Sequence, residues 1–212
     1  MARLVVLIGD SIGAMYGIPQ GAGFVDRAAR YLAQHGVSLE NWSTGGALAA
    51  GYVDMLPQLT QRLKLKARSS AELLVVIELG GNDRLCGLPP EKIERALEQL
   101  VQAAKEVPAR AMLMEVIPDG IEQDVARRCG VSLVATPACL AGQMQKPLQR
   151  GVVPPLTARY QQPDGIHPNA RAQRHIAASL LEALCTELRL PMPAPLGEGS
   201  DAEQESGSCK VL

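Results

Sequence analysis

Residues Leu4–Gly13 read L-V-V-L-I-G-D-S-I-G, and the interpretation of the whole chain starts from this stretch. Its first half, Leu4–Ile8, is an unbroken apolar run of the kind found in strands that are buried on both faces of a parallel sheet. Gly9 and Gly13 then bracket a short turn that contains Ser11. Because open α/β sheets bind their ligands at the carboxyl ends of the strands, Ser11 is a candidate nucleophile.

Apolar, strand-like runs alternate with amphipathic helical patterns along most of the chain. Strands are predicted at 4–8, 37–42, 73–79, 111–117 and 131–135, and helices at 24–34, 53–65, 90–106, 121–129 and 170–188. This alternation predicts a three-layer α/β/α sandwich with a central parallel five-stranded sheet. We expect one domain over residues 1–190 and a disordered acidic tail, rich in Pro, Gly and Ser, over residues 191–212.

The composition restricts the classes of function. Hydrophobic residues make up 47% of the 212 residues, which is enough for one sizeable core. A net charge of −1 with no basic face disfavours a nucleic-acid partner. The five cysteines include no C-x-x-C pair and the three histidines are scattered, so no metal site is expected. Free thiols in a reducing compartment fit this cysteine pattern best.

The sequence also supports expectations about localisation and oligomeric state. No basic segment followed by a cleavable apolar run precedes the first strand, so a cytoplasmic protein is expected. A mature periplasmic or secreted form that has lost its signal peptide would have the same sequence. No apolar run is long enough to span a bilayer, so stable membrane insertion is not expected. We expect a monomer or a weak dimer.

Two later segments offer side chains that would complement Ser11. His167 lies in D-G-I-H-P, three residues after Asp164, and a carboxylate in the same turn can fix the tautomer of a histidine base. Asn82 lies in G-G-N-D after the third predicted strand, level with Ser11 if the two strands are neighbours. A neutral amide stabilises a developing oxyanion without adding negative charge, and the backbone N–H groups of Ser11 and Gly46 would add to it.

The motifs around these residues form four blocks in a characteristic order. The blocks are Gly9-Asp10-Ser11, Asn41-x-Ser43-x-x-Gly46, Gly80-Gly81-Asn82-Asp83 and Asp164-Gly165-Ile166-His167-Pro168-Asn169. Together they resemble the SGNH (GDSL-type) hydrolases, and within that family the group of thioesterase I, lysophospholipase L1 and arylesterase. The resemblance covers about residues 3–188. It implies the SGNH-hydrolase fold, a flavodoxin-like sandwich.

The resemblance also implies roles for individual residues. Ser11 is the implied nucleophile, His167 the base and Asp164 its orienting acid, while Ser11 N–H, Gly46 N–H and Asn82 form the oxyanion hole. The implied mechanism is two-step acyl transfer through an acyl-enzyme, without a metal or a cofactor. The implied substrate is a small-molecule acyl ester or thioester, such as an acyl-CoA, an aryl ester or a lysophospholipid.

Two departures from the family pattern concern the substrate. Relatives usually carry polar residues, often Asp-Thr, after the second-block glycine, where this chain has Ala47-Leu48. They also carry a longer helix where Ile121–Cys129 leaves only about two turns. An SGNH-type deacetylase of an acetylated carbohydrate or small molecule therefore stays open. The candidate residues of an acyl groove are Leu85, Leu88, Ile117 and Pro118.

The end of the sequence offers one further pattern. Cys209-Lys210-Val211-Leu212 has the form of a prenylation signal, in which a final Leu favours geranylgeranyl. The residues before it are acidic rather than basic, and a single lipid chain anchors a protein only weakly. Lipidation of Cys209, on a catalytically idle and membrane-tethered binding protein, is the third and least favoured hypothesis.

Overall fold

The computed structural model describes residues 3–115, 117–142, 150–152 and 156–194. The strands are β1 (Arg3–Gly9), β2 (Val37–Asn41), β3 (Glu72–Glu78), β4 (Arg110–Met114) and β5 (Ser132–Val134). The helices are α1 (Phe24–Gln34), α2 (Ala49–Val53), α3 (Leu56–Ser69), α4 (Gly81–Leu85), α5 (Pro90–Lys105), α6 (Ile121–Cys129), α7 (Ala138–Ala141) and α8 (Ala170–Leu188). None of the helices in these ranges has the length and apolar character needed to cross a bilayer.

The five strands form one parallel sheet in the order β2-β1-β3-β4-β5. Side chains of β1 alternate between its two faces: Val6 belongs to a core shared with α3, α5 and α6, while Val5 belongs to a core shared with α1 and α8. Both side chains are fully buried. The three-layer α/β/α sandwich predicted from the sequence is therefore confirmed.

The strand order places the ends of β1 and β3 next to each other. Gly9, the last residue of β1, pairs with Glu78, the last residue of β3. In the sheet, β2 lies next to β1 on one edge and β3 lies next to β1 on the other, so the strand order reverses at β1. Such a reversal opens a crevice at the carboxyl ends of the strands. The turn that contains Ser11 and the segment that contains Asn82 both follow these strand ends.

The structure corrects two predicted boundaries and adds a short helix at Asn82. The helix predicted at 53–65 begins at Leu56 instead, because Pro57 has no N–H to donate and must lie in the first turn of its helix. The fourth strand was predicted to end at 117, but β4 ends at Met114, which pairs with Val134 at the end of β5. The Asn82 segment, for which no helix was predicted, forms the short helix α4.

A buried ion-pair cluster holds α4 against the segment that follows β4. The guanidinium of Arg84 donates to Glu122 at 2.9 and 2.8 Å and to Asp119 at 2.9 and 2.7 Å. All three side chains are fully buried. Asp119 also accepts the N–H of Gly151 at 3.0 Å, so this cluster joins three separate segments beside the crevice.

We predict that Arg84→Ala destabilises the fold by about 3–5 kcal/mol, because it leaves two carboxylates buried without their cation. Arg128→Ala is the matched control, since Arg128 pairs with Glu94 and Glu98 but its side chain is 40% exposed. We expect the control to cost no more than about 1 kcal/mol. Urea unfolding followed by circular dichroism measures both values, and equal losses for the two variants would contradict a stabilising role for the cluster.

Candidate active site

Ser11 lies in a tight turn directly after β1. The carbonyl oxygen of Asp10 accepts the N–H of Ala14 at 2.9 Å, and that of Ser11 accepts the N–H of Tyr16 at 3.0 Å. The side chain of Asp10 turns back into the same loop and accepts the N–H of Ile12 at 2.9 Å. The turn is therefore fixed by its own hydrogen bonds, with Ser11 half-buried at the edge of the crevice.

His167 joins Ser11 to Asp164 through both of its ring nitrogens. Nε2 of His167 lies 2.8 Å from Oγ of Ser11, and Nδ1 lies 2.7 Å from Oδ2 of Asp164. Because an ionised carboxylate only accepts hydrogen bonds, Nδ1 carries the proton and Nε2 is free to accept the hydroxyl proton of Ser11. The three side chains can therefore act as a nucleophile, its base and an orienting acid.

The pair of Asp164 and His167 is built within one turn of chain. Oδ1 of Asp164 accepts the backbone N–H groups of Ile166 at 2.9 Å and of His167 at 3.0 Å, while Gly165 has a φ of 78° that favours glycine. These two N–H donors, followed by the side chain of His167, lower the pKa of Asp164 to about 2. The acid is therefore ionised at any pH at which the histidine could act as a base.

Three contacts fix the histidine turn to its surroundings. The N–H of Gln162 donates to the carbonyl oxygen of His167 at 2.8 Å. The side-chain amide of Gln162 donates to the carbonyl oxygen of Tyr16 at 2.8 Å, and the ring of Tyr16 packs on the imidazole with centroids 4.8 Å apart. The serine turn and the histidine turn thus hold each other directly.

Asn82 lies beside the serine turn, as the parallel pairing of β1 with β3 requires. Its Nδ2 donates to the carbonyl oxygen of Ala47 at 3.0 Å and to Oδ2 of Asp10 at 3.3 Å. Burial is the main reason why the pKa of Asp10 is raised to about 6, although the Ile12 N–H and His167 oppose the rise. The side-chain amide of Asn82 is therefore held in place by two hydrogen bonds, one to each neighbouring loop.

The second sequence block forms the neighbouring loop. Nδ2 of Asn41 donates to the carbonyl oxygen of Gly13 at 2.9 Å, which ties this loop to the serine turn. The fully buried carboxylate of Asp83 accepts the N–H groups of Ala49 at 2.8 Å and Ala50 at 3.0 Å. Gly46, which has a φ of 77°, lies exposed in this loop one residue before Ala47, whose carbonyl oxygen binds Asn82.

A pocket of about 90 Å³ opens beside Ser11 and extends between the sheet and α8. Its apolar wall includes Met114, Ile117, Val134, Leu140, Leu156 and Ile176. Of the four groove residues expected from the sequence, Leu85 and Ile117 line this pocket. Leu88 instead packs against the core on the other face of the sheet. Pro118 is half-buried and is not part of the pocket lining.

Several contributors to the site were missed by the sequence analysis. Asp10 and Asp83 lie in the recognised sequence blocks, but the hydrogen bonds that their buried side chains accept could not be predicted from the sequence. Tyr16 follows Ser11 closely, but nothing in its spacing indicated a contact with a histidine more than a hundred residues away. Cys209 and the tail from residue 195 onward lie outside the described residues. Among the described residues, no group of three or more His, Cys, Asp or Glu side chains is placed to hold a metal ion.

The parallel α/β fold and the serine–histidine–aspartate geometry are typical of serine hydrolases. Comparison with known proteins identifies the family. Residues 7–175 match the model of the GDSL-like lipase/acylhydrolase family, and the chain belongs to that family. The family predicted from the four sequence blocks is therefore confirmed. The predicted class of enzyme, an ester or thioester hydrolase, is confirmed as well.

Three curated relatives match this chain with different identities and over different fractions of its length. Thioesterase 1/protease 1/lysophospholipase L1 of Escherichia coli K12 is 29% identical over 83% of this chain and 80% of its own length. Esterase TesA of Pseudomonas aeruginosa is 33% identical, but the match covers 54% of this chain and only 55% of that esterase. The arylesterase of Vibrio mimicus is 26% identical over 87% of this chain and 89% of its own length.

Solved structures support the same conclusion for the fold. A crystal structure of TesA superimposes with a TM-score of 0.67 at 30% identity, over 86% of this chain and 98% of that one. The psychrotrophic esterase EstA from Pseudoalteromonas sp. has a TM-score of 0.68 at 24% identity, over 88% of this chain and 99% of that one. This second likeness concerns the fold alone.

The raised pKa of Asp10 predicts a pH-dependent stability. Its pKa is about 6 in the folded chain against an ordinary 3.8, so the folded state binds the proton more tightly than the unfolded state. The stability that Asp10 contributes is thus complete below pH 3.8 and is lost as the pH rises to about 6.

Asp10→Asn removes this titration. We therefore expect the melting temperature of the variant, relative to the wild type, to rise between pH 4 and about pH 6 and to stay level above it. Differential scanning calorimetry over this range makes the measurement. Asp54→Asn, which alters an exposed carboxyl, serves as the reference. A relative melting temperature that falls as the pH rises would contradict the assignment.

Proposed function

We propose that the protein hydrolyses carboxylic esters or thioesters through an acyl-enzyme formed on Ser11. The proposal rests on two short hydrogen bonds in series. One joins Oγ of Ser11 to Nε2 of His167 at 2.8 Å, and the other joins Nδ1 of His167 to Oδ2 of Asp164 at 2.7 Å. A hydroxyl that donates to a correctly oriented imidazole is an activated nucleophile.

In the first step, Oγ of Ser11 attacks the carbonyl carbon of the ester while Nε2 of His167 takes the hydroxyl proton. The carbonyl oxygen becomes negatively charged, and Nδ2 of Asn82, with the N–H groups of Ser11 and Gly46, stabilises that charge. The protonated imidazole then gives its proton to the departing alcohol or thiol, which leaves the acyl group on Ser11.

In the second step, water replaces the alcohol or thiol. His167 accepts a proton from water, whose oxygen attacks the acyl carbon, and the same proton returns to Oγ of Ser11 as the acid departs. Asp164 keeps the imidazole in one tautomer and favours its protonated form through both steps. Because the pKa of Asp164 is about 2, its orienting charge is present at neutral pH.

The pocket beside Ser11 indicates the acyl side of the substrate. The pocket is small, with a volume of about 90 Å³. The apolar wall formed by residues such as Met114 and Leu140 favours a hydrocarbon chain over a sugar. We therefore propose small-molecule esters or thioesters with acyl chains of short to medium length as substrates, a class consistent with the names of the thioesterase and arylesterase relatives.

The small pocket also favours one alternative. An acetyl group fits the same space, and a deacetylase of this family would use the same serine, histidine and asparagine. The two proposals differ in how the rate depends on acyl length, since each methylene that is buried in an apolar pocket adds about 0.8 kcal/mol of binding.

We predict that p-nitrophenyl and acyl-CoA esters are hydrolysed with a kcat/KM that rises from the two-carbon ester to a maximum at about four to eight carbons. Ser11→Ala is expected to lower kcat by about a million-fold, as removal of a triad serine does. A steady-state series from two to sixteen carbons tests both statements. Activity confined to the two-carbon esters would favour the deacetylase, and turnover that does not depend on Ser11 would contradict the proposed function.

Leu140→Ala tests which wall limits the acyl chain. Leu140 is buried on α7 and lines the pocket, so shortening it should raise the ratio of kcat/KM for an eight-carbon ester over a four-carbon ester by several-fold. Leu180→Ala is the matched control, because Leu180 is equally buried in the same core but does not line the pocket. A ratio that changes equally in both variants would exclude this wall as the acyl site.

A further inference from the structure

Glu78 is a fully buried carboxyl group directly beneath the serine turn. It is the last residue of β3, and it pairs with Gly9 of β1. Its Oε2 accepts the backbone N–H of Asp10 at 3.2 Å and that of Gly13 at 2.9 Å. These two donors lie on either side of Ser11 in the chain, so a single oxygen holds both ends of the turn that carries the nucleophile.

The two glycines of the turn provide the space that this carboxyl occupies. A Cβ at Gly9 would lie 2.4 Å from Oε2 of Glu78, and one at Gly13 would lie 2.7 Å from the same oxygen. Ser43 Oγ fills the other side of this space, at 2.7 and 2.3 Å from the two positions. Neither glycine has a positive φ, so both are required here for room rather than for backbone conformation.

The surroundings of Glu78 disfavour a negative charge. The charged groups that act on it are Asp10 in the serine turn and Glu122 on α6, and Glu122 is already bound to Arg84. Burial, followed by the charge of Asp10, raises the pKa of Glu78 well above its ordinary value. Within the described part of the chain, Oε1 of Glu78 makes no hydrogen bond, so this oxygen is the one available to carry a proton.

We propose that Glu78 is a positioning residue that holds the Ser11 turn in place as an uncharged carboxylic acid. The inference rests on the function proposed above. Its effect reaches the oxyanion side as well, because the residue whose N–H it binds, Asp10, also accepts the amide of Asn82 at 3.3 Å. Displacement of the Glu78 carboxyl would therefore move the nucleophile and the oxyanion donor together.

Two substitutions separate the reach of the side chain from its charge. Glu78→Gln keeps the length and the acceptor oxygen but cannot ionise, whereas Glu78→Asp keeps the carboxyl group and withdraws it by one methylene. We expect kcat of the Gln variant to stay within about threefold of the wild type. The Asp variant should lose about 10- to 100-fold in kcat, with KM changed by less than about threefold, since a small misplacement of a reacting group has an effect of this size.

Val76→Ala controls for a general loss of stability. Val76 is fully buried on the same strand, and its side chain packs in the core shared with α1 and α8. This variant should melt at a lower temperature and keep kcat within about twofold at a temperature where it is folded. Gly13→Ala provides a second route, because its Cβ would press against both Oε2 of Glu78 and the side chain of Ser43 while Glu78 itself stays unchanged. It should show the same loss of kcat as Glu78→Asp.

The results separate this proposal from the proposed function. A wild-type protein without Ser11-dependent turnover would refute the function. An active wild type with Glu78→Asp or Gly13→Ala as active as Glu78→Gln would refute the positioning role. A Gln variant as impaired as the Asp variant would show that the charge of the carboxylate is needed, which would also overturn the proposal. If Glu78→Asp does not fold, the comparison of Gly13→Ala with Glu78→Gln decides.

Discussion

The parallel pairing of β1 with β3 is the constraint on which the site depends. Because Gly9 lies opposite Glu78, the next residues of both strands emerge at the same height on the same edge of the sheet. This places Ser11 and Asn82 at one crevice although no hydrogen bond joins their side chains in the described structure. The side chains of both strands pack alternately into two separate cores, one on each face of the sheet, and a shift by one residue would exchange the two sets.

The remaining half of the site is assembled on a different principle. Asp164 and His167 are three residues apart and share backbone hydrogen bonds, so their mutual geometry is local. Asn169 then caps α8 by accepting the N–H groups of Arg171 and Ala172, both at 3.1 Å. The base therefore reaches the nucleophile as part of a rigid unit, whose position depends on how α8 packs on the sheet.

Much of this arrangement was predictable from the sequence, and the exceptions have physical causes. The strand and helix alternation and the four blocks depend on local patterns, and the helices at 24–34, 121–129 and 170–188 were predicted with their observed bounds. Contacts between residues far apart in the chain were not predictable, and the ion pairs of Arg84 with Asp119 and Glu122 are an example. Glu78 did leave a signal, since an acidic residue that ends the apolar run L-L-V-V-I-E must be satisfied inside the sheet.

The hydrogen bond from His167 to Ser11 spans 156 residues of chain, while the contacts inside each partner turn are local. Local opening at the carboxyl-terminal side of the fold would therefore separate two intact halves of the active site without melting the central sheet. Loss of activity on heating should then precede loss of secondary structure. For a molecule built in this way, a catalytic assay reports the docking of the last helix, whereas circular dichroism reports the survival of the sheet and its main helices.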